Sequence, residues 1–218
     1  MRNPGRFWLA MMLVAASFAA AAALYGRLPA TIPTHWNAQG VIDGWMPKSQ
    51  GVFIGPGMAL VISLFLILIE PAQTEEDPDG LKARYYPTIV AAVSGICFYC
   101  TIGVLMAGMG WHVDMPSHVA IGLGLLIVVL GNSLGKVPQN GVVGVRTPWT
   151  LADKEVWRRT HRVAGWLVVL AGVFTAITGL VGLRVVPGLI AIGAAAVVSV
   201  AYSYVVWRRL NRGNGGRA

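Results

Sequence analysis

The chain has 218 residues, 56% of them apolar and only 12% charged, with a formal charge of +8. A soluble domain carries about a quarter charged residues, so composition excludes an ordinary soluble fold and makes the bilayer the solvent. No Walker loop, H-E-x-x-H or nucleophile elbow occurs in the chain, which argues against an enzyme and implies no cofactor.

A helical span needs about 20 mostly apolar residues. Six stretches meet this: residues 7–25, 51–70, 87–110, 119–135, 163–183 and 187–207. In hydrocarbon each must satisfy its own backbone, so the expected fold is all-α, a polytopic membrane bundle of six transmembrane helices. With the N-terminus inside, the inside segments carry two (Arg2, Arg6), two (Lys82, Arg84), six (residues 135–162) and four (Arg208, Arg209, Arg212, Arg217) basic residues. The outside segments carry three, Arg27, Lys48 and Arg184. That asymmetry places both termini in the cytoplasm and explains the basic charge without direct nucleic-acid binding. Trp8, Trp111, Trp166 and Trp207 fall at span ends, as interfacial indoles should. The chain divides into residues 1–110, with spans one to three and an external loop at 26–50, and residues 111–218, with spans four to six and a cytoplasmic loop at 135–162.

The first apolar run follows Arg2 and Arg6 as a secretory signal would, but it is longer than a signal core, and its cleavage would put the basic loop on the wrong side. It is read as a span. The external loop RLPATIPTHWNAQGVIDGWMPKSQ is rich in proline and glycine, so a compact structured loop is expected. Its candidate binding residues are His35, Trp36, Asn37, Gly40 and Asp43. The competing reading is that the short polar side chains only cap the loop's own backbone. His112, Asp114 and His118 share the next external loop, which brings an external metal site or proton-sensitive latch into view. No pair has an informative ligand spacing, so loop histidines without a metal are the expectation.

Residues 71–86 place Glu75, Glu76, Asp77 and Asp79 on the same side as the basic loop, so the two loops are expected to touch. Cys97 and Cys100 form C-x-x-C near mid-span with no further ligand nearby, and are read as packing residues. Gly165, Gly172 and Gly179 recur every seven residues on one helix face, and Gly51/Gly55 and Gly131/Gly135 repeat a G-x-x-x-G spacing. Small residues let helices approach in lipid, here for internal packing in preference to a homodimer. No ionisable residue lies mid-span, which argues against a proton relay or ion-coupled transporter.

Residues 135–162, GKVPQNGVVGVRTPWTLADKEVWRRTHR, break the hydrophobic pattern. Pro138, Gly141 and Gly144 make the first part turn-rich, and Pro148 biases Thr147 towards an extended conformation. Thr150 followed by Asp153 reads as a helix N-cap, with an interfacial helix from Leu151 leading into the fifth span. Trp157, His161 and Ala164 then share one face, with Arg158 and Arg162 on the next.

The run N-G-V-V-G-V-R-T-P-W-T at 140–150, with D-K-E-V-W at 153–157 and T-H-R-V-A-G-W at 160–166, resembles the signature of the SdpI-type membrane immunity family. P-T-H-W-N-A-Q-G at 33–40, with I-D-G-W at 42–45, resembles the external module that often precedes it. The resemblance implies a multi-pass protein of the bacterial inner membrane that protects its cell from a secreted peptide toxin or answers another external stimulus. It also implies recruitment of a cytosolic protein partner, a transcriptional repressor. The signature falls on Asn140, Gly144, Arg146, Thr147, Pro148, Trp149, Thr150, Trp157, Thr160 and His161. Arg146 with Arg158, Arg159 and Arg162 would form a docking surface for an acidic partner or membrane lipid, with Trp149 and Trp157 as anchors; simple anchoring of the span competes equally with that reading. A small permease or efflux component, and a metal-dependent membrane enzyme built on His35 and Asp43, are the alternatives.

Overall fold

The computed structural model describes residues 4–74, 81–141 and 143–214, with side chains for 6–69, 85–141 and 143–212. Helix α1 (Trp8–Leu24) is followed by strands β1 (Thr31–Trp36) and β2 (Ile42–Pro47). Then come α2 (Lys48–Thr74), α3 (Leu81–Gly108), α4 (Met115–Leu134), the short α5 (Pro148–Ala152), α6 (Lys154–Leu180) and α7 (Val186–Asn214). All but α5 are long and apolar enough to cross a membrane, six in number, as the hydropathy predicts.

Three boundaries depart from expectation. Helix α4 starts at Met115, because Pro116 sits in the first turn, where its missing N–H costs nothing. His118 therefore belongs to a helix, not a loop. Second, Thr147 and not Thr150 is the N-cap: the two threonines form a capping box that starts α5, and Asp153 caps α6 by accepting from Glu155 and Val156 N–H. The Pro148 ring forces Thr147 into the extended conformation an N-cap requires. Third, the helix that leads into the fifth span starts at Lys154 and not near Leu151, which belongs to α5; from Lys154, α6 runs unbroken to Leu180. The acidic cluster expected against the basic loop lies outside the described residues.

Helices α4 and α6 pack antiparallel at backbone distance. A Cβ on Gly165 would lie 2.9 Å from the Gly131 carbonyl, one on Gly172 2.8 Å from that of Gly124, and one on Gly179 2.6 Å from that of Ser117. The seven-residue spacing on α6 thus meets a matching series on α4, and the glycine face is used inside the chain. Dispersion between close backbones holds helices together where lipid removes the hydrophobic drive. Several buried hydroxyls are satisfied without charge: Ser17, Ser133 and Thr175 donate to carbonyls one turn back, and Ser63 and Ser94 join α2 to α3 at 2.8 Å.

Strands β1 and β2 form an antiparallel hairpin on the bundle end where α1, α3 and α6 finish. Ile32 anchors it, fully buried with Ala21, Leu28, Val52 and Leu105. Lys48 fixes the other strand end by donating to the carbonyls of Tyr25 (3.1 Å) and Leu28 (2.9 Å), which closes the C-terminal turn after α1. The loop at 135–153 lies at the opposite end.

Gly172→Leu should separate α4 from α6 and destabilise the protein by about 2 kcal/mol or more, read as a lower midpoint in detergent thermal denaturation. Gly193→Ala, where a Cβ meets nothing within 4 Å, should leave the midpoint unchanged or slightly raised.

Candidate functional site

The loop between α4 and α6 is a closed cap in which the side chains of Asn140, Arg146, Thr147, Thr150, Trp157 and His161 satisfy backbone groups. Asn140, 8% exposed, folds the first turn by donating to the carbonyls of Pro138 (2.9 Å) and Val143 (3.2 Å) and accepting from Val143 N–H (2.8 Å). Gln139 donates to the carbonyls of Thr150 (2.8 Å) and Leu151 (2.9 Å), closing the end of α5. Thr150 donates to the Val145 carbonyl at 2.7 Å and accepts from Thr147 N–H at 2.8 Å. Such groups, left unmade in a non-helical loop beside a membrane, would each cost about 1–3 kcal/mol.

His161 is the pivot. Its ring is 1% exposed and stacks on Trp157 with centroids 3.8 Å apart. Nε2 accepts from Val145 N–H at 2.9 Å, so the ring is neutral and the proton sits on Nδ1, which donates to the Trp157 carbonyl at 2.9 Å. Trp157 in turn donates from Nε1 to the Val137 carbonyl at 3.0 Å. Gly144 lies against this pair at φ 121°, and a Cβ there would overlap His161 Nε2 and sit 3.2 Å from the Trp157 ring. The position admits only glycine, on both conformation and space.

Trp149 ties the cap to the last helix, donating from Nε1 to Ser203 Oγ at 2.8 Å and lying edge-on to Tyr204 at 5.5 Å and beside Trp207 at 5.9 Å. Thr160 is fully buried, and its Oγ1 has no hydrogen-bond partner among the described residues. The basic residues stay outside. Arg146 is exposed and donates to the Gly141 carbonyl. Arg158 and Arg159 both pair with Glu155, each at 2.6 Å, while Arg162 is exposed. Gln139, Val145 and Ser203 were missed by the sequence reading. Ser203, a hydroxyl in an apolar helix, is the one with a sequence signal.

At the other end, the hairpin brings His35 Nδ1 and Asp43 Oδ1 to 2.5 Å across the strands, both exposed. Asn37 closes the turn by accepting from Gln39 and Val41 N–H, each at 3.0 Å, with Gly40 at φ 78°. Under the hairpin lies a cleft of about 360 Å³. Its lining includes Trp36, Val104, Met115, Pro116, Val119 and Val185, together with His35 and Asn37. His118 does not join His35: it stacks on Tyr99 at 3.8 Å and hydrogen-bonds the Tyr99 carbonyl at 3.0 Å, because α4 begins three residues before it. Among the described residues no group of three His, Cys, Asp or Glu is placed to hold a metal ion. Cys100 lines the cleft beside Val104.

Residues 136–205 match the SdpI/YfhL protein family, and residues 12–60 match the Domain of unknown function (DUF1648). The chain is 26% identical over 209 residues to the Immunity protein SdpI of Bacillus subtilis (strain 168), covering 93% of this chain and 96% of the relative. The chain is therefore similar to the SdpI family over residues 136–205. It is a multi-pass bacterial membrane protein. No solved structure matches it. The SdpI-family match begins at Lys136, where the cap begins, and runs through Ser203 and Tyr204, the residues that receive Trp149. The hairpin lies wholly within residues 12–60.

His161→Phe keeps the stack on Trp157 and deletes the acceptor for Val145 N–H. It should cost about 1–3 kcal/mol and open the cap to proteolysis between residues 141 and 146, read by limited digestion in detergent. Gly144→Ala should open it further.

Proposed function

We propose that this chain is an SdpI-type immunity protein that protects its cell by engaging a secreted peptide toxin, or a comparable external stimulus, in the cleft beneath the hairpin. The observation that carries the reading is the coincidence of that cleft with Trp36, His35 and Asn37 on the hairpin. Its lining is mostly apolar, with His35 and Asn37 as polar members, which suits an apolar peptide segment that partitions to the membrane surface. Exposed Trp45 and Trp111 stand on the same end, 59% and 61% accessible, and aromatic side chains dominate contacts of this kind. Similarity along nearly the whole length to a relative named for immunity supports it.

In this reading both termini and the cap face the cytoplasm, following the charge asymmetry, and the cap with Arg146 and Trp149 offers a rigid surface to a cytosolic protein partner. The reading involves no catalytic turnover.

Expressed in a host sensitive to the peptide toxin encoded beside it or made by a neighbouring species, the protein should raise the inhibitory concentration. Trp36→Ala should lower that protection by about tenfold or more, in line with loss of an aromatic anchor, and Asp43→Ala by less. Unchanged sensitivity with and without the protein, across such toxins, would remove the immunity reading. The orientation has its own check. In a background without Cys97 and Cys100, Gly141→Cys, an exposed position where a side chain meets nothing within 4 Å, should resist an impermeant thiol reagent in intact cells and react after permeabilisation.

A further inference from the structure

At the cap end of the α4–α6 crossing lies a groove of about 320 Å³ that the cap does not fill. Gly131 and Gly165 form its floor, because the helices are too close there for side chains. Lys136 and Arg162 stand at its mouth with Asn132, while Val128 and Val169 line its deeper part. Arg162 and Val169 are seven residues apart on one helix, so the groove passes from charged to apolar over about 10 Å. Trp166, 69% exposed, flanks it one turn below Arg162.

The two cations differ from their neighbours. Arg158 and Arg159 share the single carboxylate of Glu155, whereas Arg162 makes no hydrogen bond or ion pair among the described residues. Among the described residues Lys136 reaches neutral groups, Asn132 Oδ1 at 3.4 Å and the face of the Tyr85 ring at 5.1 Å. Among the described residues no carboxylate lines the groove. Two cations flanking one slot, with glycine and valine beneath and an indole beside it, match a molecule that is anionic at one end and a hydrocarbon chain at the other.

We propose that this groove binds one anionic phospholipid. The phosphate lies between Lys136 and Arg162, and one acyl chain runs over Gly131 and Gly165 towards Val128 and Val169. Lys136 opens the cap loop and Arg162 follows His161, so the lipid joins the two ends of the cap from outside. The inference is independent of any toxin.

Native mass spectrometry of the detergent-purified protein, offered phosphatidylglycerol and phosphatidylcholine in equal amounts, tests it. The wild type should retain one phosphatidylglycerol with a preference of about tenfold, within reach of two cations. Lys136→Ala/Arg162→Ala should lose the preference. Arg208→Ala/Arg209→Ala, which removes the same charge from the same end of the bundle, should keep it. Excess inorganic phosphate should not displace the lipid, because the groove also holds the chain. Lys136 and Arg162 are exposed, so folding is not at stake, and Arg162→Gln alone gives a milder check with the same expected direction. Equal loss in both double variants would show diffuse attraction to basic residues and overturn the site. So would the absence of a wild-type preference, or displacement by phosphate.

Discussion

Everything at the loop end of this protein depends on the contact between the α4 and α6 backbones. In lipid there is no hydrophobic gain in bringing two apolar helices together, so the pair must be held by close packing. Gly124 and Gly131 on one side, and Gly165, Gly172 and Gly179 on the other, supply that approach. Because the helices meet so closely, their loop ends emerge side by side, and the connection has to reverse direction within 135–153. Its peptide groups have no helix or sheet to bond to. The cap is the answer to that constraint, with Asn140, Gln139, Thr147, Thr150, Trp157 and His161 supplying partners from side chains.

This changes how the family signature is understood. The N-x-x-x-G-x-R-T-P-W-T order looks like a binding motif because anchoring a span would not require it. Most of it is a recipe for folding a loop. Asn140 makes the turn, Gly144 makes room for the His161 edge, Pro148 sets up the Thr147 cap, and Trp149 binds the loop to Ser203 on α7. What the recipe leaves over for partners is the outer layer: Arg146, Arg162, Lys136 and the exposed faces of the indoles.

The six spans were legible because hydropathy over about 20 residues is a bulk property that tertiary contacts do not override. The glycine heptad was legible too, as period and face, though not the helix it faces. Pairing was not legible. Pro33 in β1 and Pro47 in β2 hide the strands, and only the register of Pro33 with Trp45 and His35 with Gly44 shows how His35 comes to Asp43. Thr150 fitted the N-cap pattern as well as Thr147 does, and the choice is made by the Pro148 ring and the reciprocal threonine bonds. His118 was placed in a loop because hydropathy cannot locate a helix start that Pro116 defines. The same holds for His161, whose spacing gave the face correctly but not the acceptor role.

The matched glycine series also sets what motions the bundle has available. Sliding α6 along α4 by one residue would drive a valine or leucine side chain into a backbone that now accepts only hydrogen, and the next equivalent register lies seven residues away, about 10 Å. The pair is therefore indexed like a toothed rack and cannot move as a piston. A disturbance at the hairpin end that reaches the cap through these two helices arrives as a tilt or rotation of both together, with Trp149 and its partners on α7 as the point where that rotation meets the rest of the bundle.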